Sequence, residues 1–103
     1  MARMASILLP SGDADIKLAS LGTSTSSTEQ KIGANRIFVI NADQDITIRF
    51  GATGMGAADA TYYRIPANQQ TTFDMGPAFS YIRAFNLSAS TAANVYIKIL
   101  SLA

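Results

Sequence analysis

The chain has no cysteine, no histidine and no tryptophan, and only three prolines. Without cysteine there is no disulfide framework, no thiolate nucleophile and no cysteine-based zinc or iron–sulfur site, and cysteine usage gives no reading of the redox compartment. Without histidine there is no Ser-His-Asp triad, no HExxH helix and no imidazole base. Charge is also scarce. Only 15% of residues are charged, and eight Lys+Arg against seven Asp+Glu leave a net charge of +1, too little to attract phosphate backbones or anionic lipids. No stretch approaches the roughly 20 apolar residues that span a bilayer. The apolar run Ile7-Leu8-Leu9 is too short for the core of a signal peptide. These absences predict a soluble chain with no nucleic-acid partner, no membrane partner and no cofactor, whose work is contact rather than catalysis.

What is present is apolar and extended. The 103 residues are 49% hydrophobic and fit one domain. A chain this size hides roughly two-thirds of the surface its unfolded form exposes, so it has a core but little surplus stability. Residues 1–14 lack sustained periodicity and carry Pro10, Ser11, Gly12 and Asp13, which are turn-forming types. They read as an extended arm ahead of a domain spanning 15–103. From Asp15 onward, short apolar or alternating runs recur every eight to twelve residues or so, the spacing of a sandwich or barrel.

Seven or eight strands follow from that spacing. Ile16 and Leu18 share one face of the first, and the Ser/Thr-rich stretch from Thr23 to Gln30 suits either a solvated strand or a loop. Arg36-Ile37-Phe38-Val39-Ile40-Asn41 is a clear strand. Asp45-Ile46-Thr47-Ile48-Arg49-Phe50 alternates strictly, placing Ile46, Ile48 and Phe50 inward. The turn-rich Asn41–Asp45 between these two predicts a hairpin. Gly51 to Ala58 reads as a flexible connection, Thr61 to Ile65 as a strand ended by Pro66, since proline cannot donate to a ladder. Gln70–Met75, Ser80–Asn86 and Asn94–Leu102 supply three more. The Ala57–Ala60 stretch is too short for a stable helix.

Several of these strands are apolar on both faces. Ile37 and Val39 lie opposite Phe38 and Ile40, and Val95, Ile97 and Ile99 lie opposite Tyr96, Leu100 and Leu102. A strand of a two-layer sandwich hides one face and wets the other, so two apolar faces need two covers. Leaving several such side chains in water forgoes roughly 1.5 to 3 kcal/mol each. Either curvature and loops hide both faces within one chain, or a neighbouring subunit covers one. The second option selects Phe38, Ile40, Tyr96, Leu100 and Leu102 as self-association residues.

The chemical motifs have plain structural readings. Gly51-Ala52-Thr53-Gly54-Met55-Gly56 lacks the Gly-Lys-Ser/Thr ending of a phosphate loop and no helix follows it. Asn41, Asp43 and Asp45 begin like a calcium loop, but Ile46 and Ala52 stand where an EF-hand needs Gly and Glu. Turn chemistry suffices for them, with an irregular oxygen-ligand cation site as the alternative. The seven acids sit mostly at turns, and a chain of this size has little room for a sugar cleft between paired carboxylates. Tyr62, Tyr63, Arg64 and Tyr81 could stack on sugars, which gives a receptor- or glycan-binding module as the alternative function.

From about Asn35 onward the chain resembles small bacteriophage virion proteins with a β-sandwich or jelly-roll fold. The resemblance lies in Arg36-Ile37-Phe38-Val39-Ile40-Asn41, Ile48-Arg49-Phe50-Gly51, Ile65-Pro66-Ala67-Asn68, Phe73-Asp74-Met75-Gly76, Ser80-Tyr81-Ile82 and Val95-Tyr96-Ile97. It implies an all-β, antiparallel, jelly-roll-like sandwich and a head decoration or cement protein, often trimeric, that clamps capsid subunits from outside. The expected partners are the major capsid protein or another virion protein, and other copies of the chain. The expected location is the capsid surface of the virion, after synthesis in the host cytoplasm. In this reading Met4, Ile7, Leu8 and Leu9 form a partner-binding arm on a neighbouring subunit.

Overall fold

The computed structural model describes residues 15–102, and the side chains of residues 15–100. Eight strands follow one another: β1 (Ile16–Leu21), β2 (Gln30–Lys31), β3 (Arg36–Ala42), β4 (Ile46–Gly51), β5 (Tyr63–Ile65), β6 (Thr71–Asp74), β7 (Tyr81–Asn86) and β8 (Ala93–Leu102). No helix occurs among the described residues. At Asp59 a carboxylate oxygen accepts from Thr61 N at 2.9 Å and Thr61 Oγ1 at 2.6 Å, an Asx turn that competes with helix continuation.

The strands form two four-stranded sheets, a first sheet ordered β1-β8-β3-β6 and a second ordered β2-β7-β4-β5. Every pairing is antiparallel. The all-β sandwich expected from the spacing is therefore present, with eight strands. Its core follows the strict alternation of the strands. Phe38, Ile40 and Ala42 of β3 turn inward beside Val95 and Ile97 of β8, and meet Ile46 and Ile48 of β4 and Ile82 and Ala84 of β7. Cross-strand register keeps like faces together, with Phe38 opposite Phe73 and Ile99, and Ile40 opposite Ile97.

One local expectation is overturned. β3 and β4 do not form a hairpin; they lie in different sheets. The intervening residues make a corner held from outside. Asp43 accepts from Asn94 N and Asn94 Nδ2, each at 2.8 Å, while Asp45 accepts from Ala67 N at 2.8 Å. Leu87 N donates to the Asp45 carbonyl at 3.0 Å. Bonds to the start of β8 and to the β7–β8 and β5–β6 connections thus replace the ladder a hairpin would have formed.

Candidate interaction surface

Folding removes two of the expected self-association residues from any surface. Phe38 and Ile40 are both 0% exposed in the single chain, so a second copy meets neither while the sandwich is closed. Alternation showed that β3 is apolar on both faces, and only the pairing shows which face is inner. The outer one carries Ile37, Val39 and Asn41, with Val39 itself buried. Tyr96 and Leu100 do lie on the outer face of the first sheet, half-buried beside Lys98. Leu102 pairs with Arg36 at the backbone, and its side chain lies outside the described residues. Met4, Ile7, Leu8 and Leu9 also lie outside them.

The outer face of the second sheet is covered by the chain's own loops. Thr47 Oγ1 donates to the Asp59 carbonyl at 2.6 Å and Arg49 Nη1 to the Ala57 carbonyl at 3.1 Å. Arg83, directly opposite Arg49, donates to the carbonyls of Ser27 at 2.8 Å and Met55 at 2.9 Å. Gly54 N reaches Glu29 Oε1 at 2.9 Å, and Ala58 N reaches Ser26 Oγ at 3.0 Å. The Gly-rich segment that reads as a free connection is therefore a strap, fastened at several points across β4 and β7. Backbone carbonyls satisfy the two facing guanidinium groups, whose like charges would otherwise repel.

The apolar surface that remains lies along one side of the sandwich, where the edge strands β5 and β6 stack. Tyr63 has the same inward phase as Ile65, opposite Ile48, yet it is 59% exposed because β5 is an edge strand among the described residues. Its ring leans edge-on against Phe73 across the gap between sheets, centroids 5.4 Å apart and planes at 89°. Phe73 meets Phe50 at 5.5 Å, and Phe50 meets Phe79 at 6.3 Å. Phe79 is 43% exposed. At the inner end Phe38 stacks on Phe73 at 5.4 Å. A continuous row of rings thus runs from the core to the surface. Contacts of this geometry add roughly 0.5 to 1.5 kcal/mol each beyond burial, so the row is firmly held.

The opposite side is built differently. β1 carries the exposed Lys17 and a break in register between Leu18 and Leu21. Ser20 there has φ 55°. β2 is two residues long and includes the exposed Lys31. Lysines, a bulge and short strands are the devices that discourage edge-to-edge pairing. β5 and β6 are also short, at three and four residues, but their registers contain no break and neither strand carries a lysine.

The residues proposed for glycan contact do not converge. Tyr63 is on the aromatic side, whereas Tyr62 lies under the Arg49 guanidinium at 5.0 Å. Arg64 donates to the Asp45 carboxylate, and Tyr81 is half-buried opposite Gly51. Phe79 was not legible as a surface residue. The only signal was an aromatic directly after the Gly76-Pro77 turn.

Asp45 and Arg64 line a shallow depression with Gln44, Ala67, Leu87 and Ser88, but its charges are already engaged. The Arg64 guanidinium, and then the Ala67 N–H, hold the Asp45 carboxyl below its ordinary value. The Thr61 hydroxyl and N–H do the same for Asp59. Groups with lowered folded-state pKa values stabilise fully above the ordinary carboxylate range, and that contribution is lost as pH falls through the folded values. The urea midpoint is therefore expected to drop below about pH 4, and Asp45→Asn to show a smaller drop. An identical pH profile for the variant would contradict this role. Among the described residues no group of three or more metal-ligating side chains comes together, and Asp43 and Asp45 serve the corner.

Comparison with known proteins adds no relative: no family model matches the chain, and neither a curated protein nor a solved structure is similar to it.

Proposed function

We propose that this chain is a non-enzymatic structural protein of a bacteriophage particle, a decoration or cement protein that binds the outside of the shell as a homo-oligomer. The observation that carries the reading is the aromatic side of the sandwich, with Tyr63 at 59% and Phe79 at 43% exposure on a row continuous with the core. A small domain that closes its core and still displays such a row has a surface suited to contact. Burying each large ring there contributes roughly 1.5 to 3 kcal/mol.

Support also comes from the strand order. β1-β8-β3-β6 and β2-β7-β4-β5 place successive strands in alternate sheets except at β4–β5, in keeping with a jelly roll, an architecture used by capsid domains. In this reading residues 1–14 are an arm. Self-association draws on the aromatic side and on Tyr96, Leu100 and Leu102, while Phe38 and Ile40 serve the core. Repeated attachment over a shell lattice lets weak single contacts act together.

The test is heat disruption of purified shells with and without the protein. Added protein is expected to raise the temperature at which shells break, and to bind assembled shells in preference to free capsid subunits. Equal heat resistance in the two samples would overturn the proposal.

A further inference from the structure

We propose that the aromatic side of one copy receives the N-terminal segment of a second copy, so that copies join head to tail through Met4, Ile7, Leu8 and Leu9. This deepens the self-association in the proposed function and rests on that part of it.

The place where the segment joins the fold is fixed. Asp15 N donates to the Ile97 carbonyl at 2.8 Å, Ile99 N donates to Asp15 Oδ2 at 2.7 Å, and Lys98 Nζ lies 3.5 Å from Asp15 Oδ1. The described fold therefore begins beside β1, the guarded edge. The aromatic row lies beside β6, the other edge of the same sheet. Three strand spacings separate these edges, about 14 Å, with the thickness of the sheet to round as well.

Chain length favours a neighbour over the segment's own fold. Fully extended, fourteen residues reach about 45 Å, against molecular extents of 40 × 29 × 21 Å. The apolar run Ile7–Leu9, however, is separated from Asp15 by Pro10, Ser11, Gly12, Asp13 and Ala14. The six residue steps from Leu9 to Asp15 span about 20 Å at full extension, little more than the strand spacings between the two edges before the thickness of the sheet is rounded, which leaves little chain to seat the run on its own fold. A neighbour set against the β1 side brings its aromatic row to where the segment departs. The chemistry matches, since Ile7 to Pro10 carry no charge and the row is made of Tyr63, Phe73, Phe50 and Phe79.

Donor and acceptor surfaces on opposite sides of one molecule make a heterologous contact, which closes into a ring when the rotation allows. This form of exchange has a distinctive test. Leu8→Asp damages the segment and leaves the row intact; Phe79→Asp does the reverse. Light scattering on the full-length variants, each checked for an unchanged circular dichroism spectrum, is expected to show association at least about tenfold weaker than wild type for each alone. Mixed in equal amounts, they are expected to form a one-to-one pair, because one intact segment then meets one intact row. Phe79→Ala is expected to weaken association in the same direction without a new charge.

A Leu8→Asp chain that keeps the wild-type mass overturns the exchange, and so does a mixture that stays monomeric. If wild type oligomerises and protects shells but Leu8→Asp retains full mass, only the exchange fails. If the variants pair as expected and shells gain no heat resistance, only the shell reading fails.

Discussion

Replacing Phe38 by Asp is expected to leave no folded domain, and Phe38→Ala to cost about 3 to 5 kcal/mol in urea unfolding. Phe38 is fully buried and stands where two aromatic contacts and two strand pairings meet. Its ring stacks on Phe73 at 5.4 Å and tilts against Phe50 at 6.1 Å, and its backbone lies between Phe73 of β6 and Ile99 of β8. A carboxylate there has no described partner and would be taken out of water, which is strongly unfavourable for an unpaired charge. The Ala variant removes the ring and leaves a void that neighbouring strands cannot close. A soluble, folded Phe38→Asp monomer would instead place Phe38 at a subunit contact, as the sequence alone allowed.

Asn86→Ala is expected to destabilise the domain by about 2 to 4 kcal/mol, since it removes three hydrogen bonds that contribute about 0.5 to 1.5 kcal/mol each. Asn86 is fully buried and ends β7. Its Nδ2 donates to the Leu21 carbonyl at 3.1 Å and the Thr91 carbonyl at 2.9 Å, and its Oδ1 accepts from Ser88 N at 2.9 Å. One side chain therefore fastens the end of β1, the end of β7 and the loop leading to β8. Removing it strands two carbonyls and one N–H. Hydrogen exchange at Ser88 is expected to accelerate together with the fall in urea midpoint. A midpoint within experimental error of wild type would show that water replaces all three bonds.

The strands were legible because extended structure writes a period of two into the side chains. Ile46, Ile48 and Phe50 face inward as their alternation requires, and the short β5 stops before Pro66. Pairing was not legible. β3 finds its partners in β6 and β8 rather than in β4 nearby, and period alone names a face without naming a neighbour. The double apolar character of β3 was real, but the sandwich hides Phe38 and Ile40. The strap over the second sheet is not legible in the sequence for a related reason. Gly54, Ala58 and Met55 are held by Glu29, Ser26 and Arg83, 25 to 32 residues away in sequence. A glycine-rich stretch judged by itself shows none of those anchors. The aromatic side combines residues from β4, β5, β6 and the loop after β6, so no local pattern could assemble it.

If the aromatic row is a joint between copies, it must be occupied in solution. Light scattering of the purified full-length chain over a range of concentrations measures this directly. The expected mass is about three times that of one 10.9 kDa chain, a closed ring of the kind a heterologous contact produces. A mass of one chain at every concentration would contradict it.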